Sequence, residues 1–281
     1  MATRAPRRSH AIVLGIDFLL GSQLAQQRAA ELARRHRAAL HLVHATSRLP
    51  LALTRRFPSL GDEKLREALL ALVAQLRDTG VDAHGHLMHG EAVRCLTAKA
   101  RAVAADLVVV GTRGGSVLAA MLGSTPERLA SMDQHRVLLV RRAAERAYRK
   151  VVIAADEDSR LGEQLAAAEF VSAKPAVVLH AYRAPFESTL ISYGASGREL
   201  TRYRTSARRE AELRMAKLML KAGVDSSQLV LRHGSPVEVL ERFDPESLMV
   251  LSRGRSRARQ LLLGSVTRAV VAHCAADVLL V

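Results

Sequence analysis

Ala11-Ile-Val-Leu-Gly-Ile-Asp17 is an apolar run closed by an aspartate, and Val151-Val-Ile-Ala-Ala-Asp156 repeats it with its aspartate 139 residues further on. A short continuous apolar run reads as a strand buried on both faces. The segments after each copy repeat as well, which makes the chain two versions of one unit. Gln23 to His36 and Leu161 to Ser172 carry helical spacing. A second apolar strand then ends in Val43-His44-Ala45 and in Leu179-His180-Ala181.

Both copies continue through an irregular, proline-containing stretch into a longer amphipathic helix, Asp62 to Thr79 and Arg198 to Ala222, closed by Gly80 and Gly223. Third strands, Val81 to Met88 and Gln228 to Arg232, end in His89-Gly90 and His233-Gly234. Fourth strands, Asp106 to Val110 and Ser247 to Val250, run into glycine-bearing loops, and Arg136 to Val140 and Asp277 to Val281 are the final strands. Arg141 to Lys150 is a charged connector. Strands alternating with helices at these spacings make βαβ units, hence a parallel sheet with helices on both faces. Ligands of such sheets sit at the carboxyl ends of the strands, where Asp17, Asp156 and the glycine loops converge.

With 281 residues, two compact domains are expected. No Trp, five Phe and four Tyr leave the cores to Ala, Val, Leu and Ile, and disfavour recognition by base stacking. The net charge of +15 comes mostly from the part up to Lys150, with 24 basic and 12 acidic residues, against 18 and 15 after it. Its arginines are scattered through a tail, a helix end and a loop, so a solvated basic surface is a plainer explanation than nucleic-acid recognition. Cys95 and Cys274 have neither disulfide-framework nor zinc spacing, which fits a reducing compartment. No stretch reaches the roughly 18 apolar residues of a membrane helix, so the expectation is a cytoplasmic protein with no membrane partner.

The first loop is Gly111-Thr-Arg-Gly114, eight residues, then Gly123-Ser124; the second is Leu251-Ser-Arg-Gly254, nine residues, then Gly264-Ser265. Glycines permit close backbone approach, and a helix start offers free N–H groups to an anion. Ser124 and Ser265 are either phosphate donors or plain N-caps, Ser124 with Glu127 matching a capping box.

A strand-end Asp, a strand-end Gly-x-x-Gly and a distant Gly-Ser, almost intact twice in one chain, resemble the universal stress protein family in its tandem form. The resemblance covers residues 10 to 281. It implies two tandem Rossmann-like (adenine nucleotide alpha hydrolase-like) domains, at 10–142 and 149–281. Each is an α/β unit with a five-stranded parallel sheet of order 3-2-1-4-5 and helices on both faces. It also implies pairing of the halves through their final strands as a pseudo-dimer, leaving homodimers open.

By the same resemblance the ligand is ATP or a related adenine nucleotide, with Mg²⁺ as an open accompaniment, and the role is stress response through protein partners or assembly with at most weak ATPase activity. Asp17 and Asp156 take the adenine or ribose side. Gly111, Gly114, Gly123 and Ser124 line the phosphates in the first half, as do Gly254, Gly264 and Ser265 in the second. Ala45 and Ala181 stand where the family often has a valine near the adenine, and Arg113 and Arg253 are placed to reach phosphate oxygens.

Neither half keeps the family's Gly-x2-Gly-x9-Gly-Ser/Thr pattern: the first has eight residues between its glycines, and the second has Leu251 in place of the first glycine. If that position required positive φ, leucine would cost about 1–2 kcal/mol. Arg253, Arg255, Arg257, Arg259 and Arg268 make the second loop either an anion pocket or a solvated, degenerate one. A nucleotide-free scaffold of the same fold is therefore the alternative function. Among other candidates, Asp158 is a possible Mg²⁺ holder, and helix-start acids are the commoner explanation of its cluster. His84, His86 and His89 read as packed or exposed, His44 and His180 as hydrogen-bonded. Nucleophile elbow and Walker motifs do not occur, so no catalytic residue is assigned.

Overall fold

The computed structural model describes residues 10–18, 20–46, 62–111, 135–142, 147–253 and 264–281. It divides into two compact units, Met1–Arg146 and Ala147–Val281.

In the first unit β1 (Ala11–Ile16) leads into α1 (Leu20–His36), β2 (Ala39–Thr46), α2 (Asp62–Asp78), β3 (Ala83–His89), α3 (Ala92–Ala102), β4 (Leu107–Gly111) and β5 (Val137–Val140). The strands pair in parallel in the order β3-β2-β1-β4-β5. The second unit has the same plan. It comprises β6 (Lys150–Ala154), α4 (Leu161–Val171), β7 (Ala176–Tyr182), α5 (Glu187–Ser192), α6 (Gly197–Lys221), β8 (Leu229–His233), α7 (Pro236–Glu241), β9 (Ser247–Leu251), α8 (Ser265–His273) and β10 (Asp277–Leu280). Its strands are parallel in the order β8-β7-β6-β9-β10. Each half is thus a Rossmann-like α/β domain.

The central strands are buried on both faces, as their unbroken apolar runs require. Ile12, Val13, Leu14 and Leu107 to Val110 have no exposed surface, nor have Val152, Ile153 and Met249. Burying such a side chain contributes roughly 1.5–3 kcal/mol, so the sheet centres carry much of the stability.

Both long helices end where expected: Gly80 and Gly223 adopt φ of 78° and 70°, the left-handed conformation that closes a helix without a Cβ penalty. Their neighbours Val81 and Val224 donate back to Leu76 and Met219. At the other end of α6, Ser196 and Glu199 form a reciprocal capping box. Three helices lie where the sequence pattern predicts none: α3, α5 and α7. Two of them are six residues long, and α3 starts without a side-chain cap, so the usual start signal is missing. Part of the connector belongs to the fold, because Tyr148 is buried and its hydroxyl donates to Asp277 at 2.7 Å.

Candidate functional site

In the first half, β1 lies between β2 and β4, and in parallel register all three end on the same edge. Asp17 leaves the end of β1, Ala45 sits near the end of β2 opposite Met88 of β3, and Gly111 closes β4 opposite Val140. These three are brought together as the topology demands. Arg113, Gly114, Gly123 and Ser124 lie outside the described residues.

A histidine holds this edge. Nδ1 of His44 is 2.9 Å from the carbonyl oxygen of Ile16, the residue before Asp17. A carbonyl only accepts, so Nδ1 carries the hydrogen. The ring also leans on Phe18, centroids 4.9 Å apart, and Phe18 takes φ of 60°. A bulky residue in that region is strained, and here it turns the chain immediately after Asp17.

The second half repeats the device. Nδ1 of His180 is 2.9 Å from the carbonyl oxygen of Ala155, the residue before Asp156. Asp156 is exposed, and its Oδ1 accepts from the Ser159 hydroxyl at 2.8 Å and from the Asp158 N–H at 3.2 Å. The same hydroxyl accepts from the Asp156 N–H at 2.9 Å. Oδ1 is therefore occupied in shaping the turn, leaving Oδ2 for a ligand hydroxyl. Ala181 pairs with Arg232 on β8.

Beside the second loop, Leu251 causes no backbone strain. It is the last residue of β9, paired with Ala154 and Leu280, 3% exposed and not among the residues with positive φ. A leucine suits this position because it is still strand. Arg253 is buried, and its N–H donates to the Val281 carbonyl at 3.2 Å, so it is not a solvated, outward-pointing arginine. Gly254 and the alternating Arg255, Arg257 and Arg259 lie outside the described residues.

Gly264 is the N-cap of α8, and Ser265 is its first helical residue, so Ser265 is not the N-cap. The φ of Gly264 is −55°, and among the described residues a Cβ there would meet only Thr267 Oγ1, at 4.0 Å. Backbone geometry therefore does not require a glycine here. Thr267 ties the same helix start to the end of β9 by donating to the Ser252 carbonyl at 3.1 Å. Open space at Gly264 among the described residues, an exposed Ser265 and a buried arginine nearby in sequence at the strand end fit an anionic group.

A model of the universal stress protein family matches residues 9–141 and, separately, 147–281. The chain belongs to the universal stress protein family. A functionally unknown protein from Pseudomonas aeruginosa PAO1 shares 18% identity with it, covering 97% of this chain and 92% of its own at a TM-score of 0.64. A universal stress protein from Archaeoglobus fulgidus DSM 4304 is 14% identical, with coverages of 97% and 98% and a TM-score of 0.65. A putative universal stress protein from Pseudomonas aeruginosa UCBPP-PA14 is 18% identical, with coverages of 98% and 92% and a TM-score of 0.61. At these identities the likeness is one of fold, and it extends over both halves. No curated protein matches the chain.

This universal stress protein has a second histidine group, on the β2–β3 edge. His41 Nδ1 and His86 Nε2 are 3.1 Å apart, and the His41 ring stacks on His84 at 5.0 Å. Burial, reinforced by Lys99, His41 and His84, pushes His86 down to about 4; burial and then His84 lower His41. Both rings are held neutral. His84 and His89 instead face carboxylates, Asp82 and Asp62, each at 3.0 Å. Among the described residues no group of three or more such side chains is placed to hold a metal, and no helix is long and apolar enough to cross a membrane. Both cysteines are buried free thiols, Cys95 with its pKa raised by burial and by Glu91.

Sequence reasoning finds hydrogen-bonded histidines on the second strands but misses what they hold, the carbonyl before each aspartate. Their signal is present all the same, in the repeated Val43-His44-Ala45 and Leu179-His180-Ala181.

Proposed function

We propose that each half binds ATP or a related adenine nucleotide at the carboxyl edge of its sheet, and that the chain acts in the cytoplasmic stress response through protein partners or assembly. The observation that carries this reading is the doubled edge: an aspartate after the first strand, its preceding carbonyl held by a strand-two histidine, beside a strand end that is Gly111 in the first half and Leu251 in the second. Asp17 and Asp156 would hold the ribose or base, with Ala45 and Ala181 beside it. Gly111, Arg113, Gly114, Gly123 and Ser124 would receive the phosphates in the first half, and Arg253, Gly254, Gly264 and Ser265 in the second.

ATP, when bound, supplies a polyanion whose charge the helix start and arginine offset. Mg²⁺ would accompany the phosphates, with Asp158, two residues after Asp156, as the carboxylate to hold it. Hydrolysis is at most slow, since no general base or nucleophile is assigned.

Equilibrium binding of labelled ATP to the purified full chain tests this. Two sites are expected, one lost with Gly123→Val and the other with Gly264→Val. Binding no higher than background sinks the proposal in favour of a nucleotide-free scaffold, which the eight-residue first loop favours. Pairing of the halves belongs to the same proposal, and separately expressed halves that fail to associate would contradict it.

A further inference from the structure

In the second half, a groove of about 600 Å³ lies between the start of α4 and the C-terminal part of α6. Arg160, Arg214, Lys217 and Lys221 line it, with Glu157 and Glu163 as the acidic residues. Both carboxylates are engaged: Glu157 with Arg214 at 2.5 Å and Glu163 with Arg160 at 3.3 Å. Lys217 and Lys221 have no ion-pair partner among the described residues and are exposed one helical turn apart. Like charges at that spacing repel each other, and Arg214 continues the same stripe.

The corresponding groove of the first half, between α1 and α2, shows that this excess is not a property of the fold. It holds about 340 Å³ and is lined chiefly by Gln26, Gln27, Gln75 and Thr79, with Glu31 and Arg34 cancelling in charge. The second groove alone pairs two uncompensated cations with an apolar floor that includes Leu161 and Leu218. Its volume is in the range of small-ligand pockets.

We propose that this groove binds a small organic molecule carrying two or more linked phosphate groups. Lys217 and Lys221 would take the phosphates as flexible point charges, and the apolar floor would take the organic body. Among the described residues none of those lining it comes from the end of β9 or the start of α8, while Glu157 and Ser159 place it beside the turn after Asp156.

The test is a calorimetric titration of the full chain with inorganic tripolyphosphate. Lys217→Gln/Lys221→Gln is expected to weaken one site at least tenfold, Lys217→Arg/Lys221→Arg to retain it, and Gly264→Val to leave it unchanged. Thermal melts of the variants verify folding, which exposed lysine substitutions should leave intact. The proposal is overturned if the glutamine pair binds within twofold of the parent, if the parent does not bind, or if Gly264→Val removes the site.

Discussion

At the end of the second strand the two halves are chemically alike: His44 and His180 each hold the carbonyl that precedes the strand-one aspartate, both at 2.9 Å. Along the edge beside it they diverge. The first half places His41, His84 and His86 there, with Gly85 between, where the repeat puts Val177, Gln228, Val230 and Leu229 in the second. The part of the unit that shapes the strand ends is retained, while the flank that only packs is free to change. Grooves over α1–α2 and α4–α6 differ in the same way, one neutral and one cationic.

The contrast is broken most forcefully at Gly85. A Cβ there would lie 2.9 Å from Leu69 Cγ and 3.1 Å from Val73 Cγ2, so Gly85→Leu, which imports the second half's residue, should destabilise the first unit by roughly 1–3 kcal/mol through overpacking. A chemical melt that shows no change would mean α2 shifts freely. The shared histidines come next. His44→Leu and His180→Leu should each cost about 1 kcal/mol, while His→Asn, whose amide nitrogen can stand in for Nδ1, should recover most of it. Unequal losses in the two halves would show that the matched bonds do different work.

The histidine part of the acid response should belong to the first half, whereas the second half carries lowered carboxylates at Glu187, Glu199 and Asp225. His86, held near 4, stays neutral in the fold while an unfolded chain takes up a proton near its ordinary 6.5. Stability is therefore present above about pH 6.5 and declines as pH falls toward 4, by a few tenths to about 1 kcal/mol after solvent screening. His86→Val, the second half's residue, should flatten that slope in pH-dependent melts. The smallest effect on stability belongs to Gly264→Val, expected within about 0.5 kcal/mol because among the described residues nothing crowds the position. A large loss there would place its role in folding rather than in ligand approach.

The duplicated architecture is readable because continuous apolar strands closed by Asp17 and Asp156 recur with the same partners in order. Gly80 and Gly223 mark helix ends correctly, since only a residue without Cβ takes that turn cheaply. Much of what sequence could not supply depends on which residues lie across from one another. His41 reaches His86 only through the β2–β3 register, and no spacing along the chain encodes that 3.1 Å contact. Leu251 looks like a departure at a loop glycine, yet it belongs to the strand, where leucine packs well. Arg253 looks like one of a series of surface arginines, yet it is buried, and its backbone N–H donates to Val281, 28 residues further along the chain.

The two carbonyl-bound imidazoles also make the molecule its own reporter. Each donates from Nδ1 to a backbone carbonyl, so the hydrogen on that nitrogen is fixed and its nitrogen resonance reports on the bond. With one such ring per half, a nitrogen spectrum of the unmodified protein can follow events at each aspartate-bearing edge separately, without a label attached at either one.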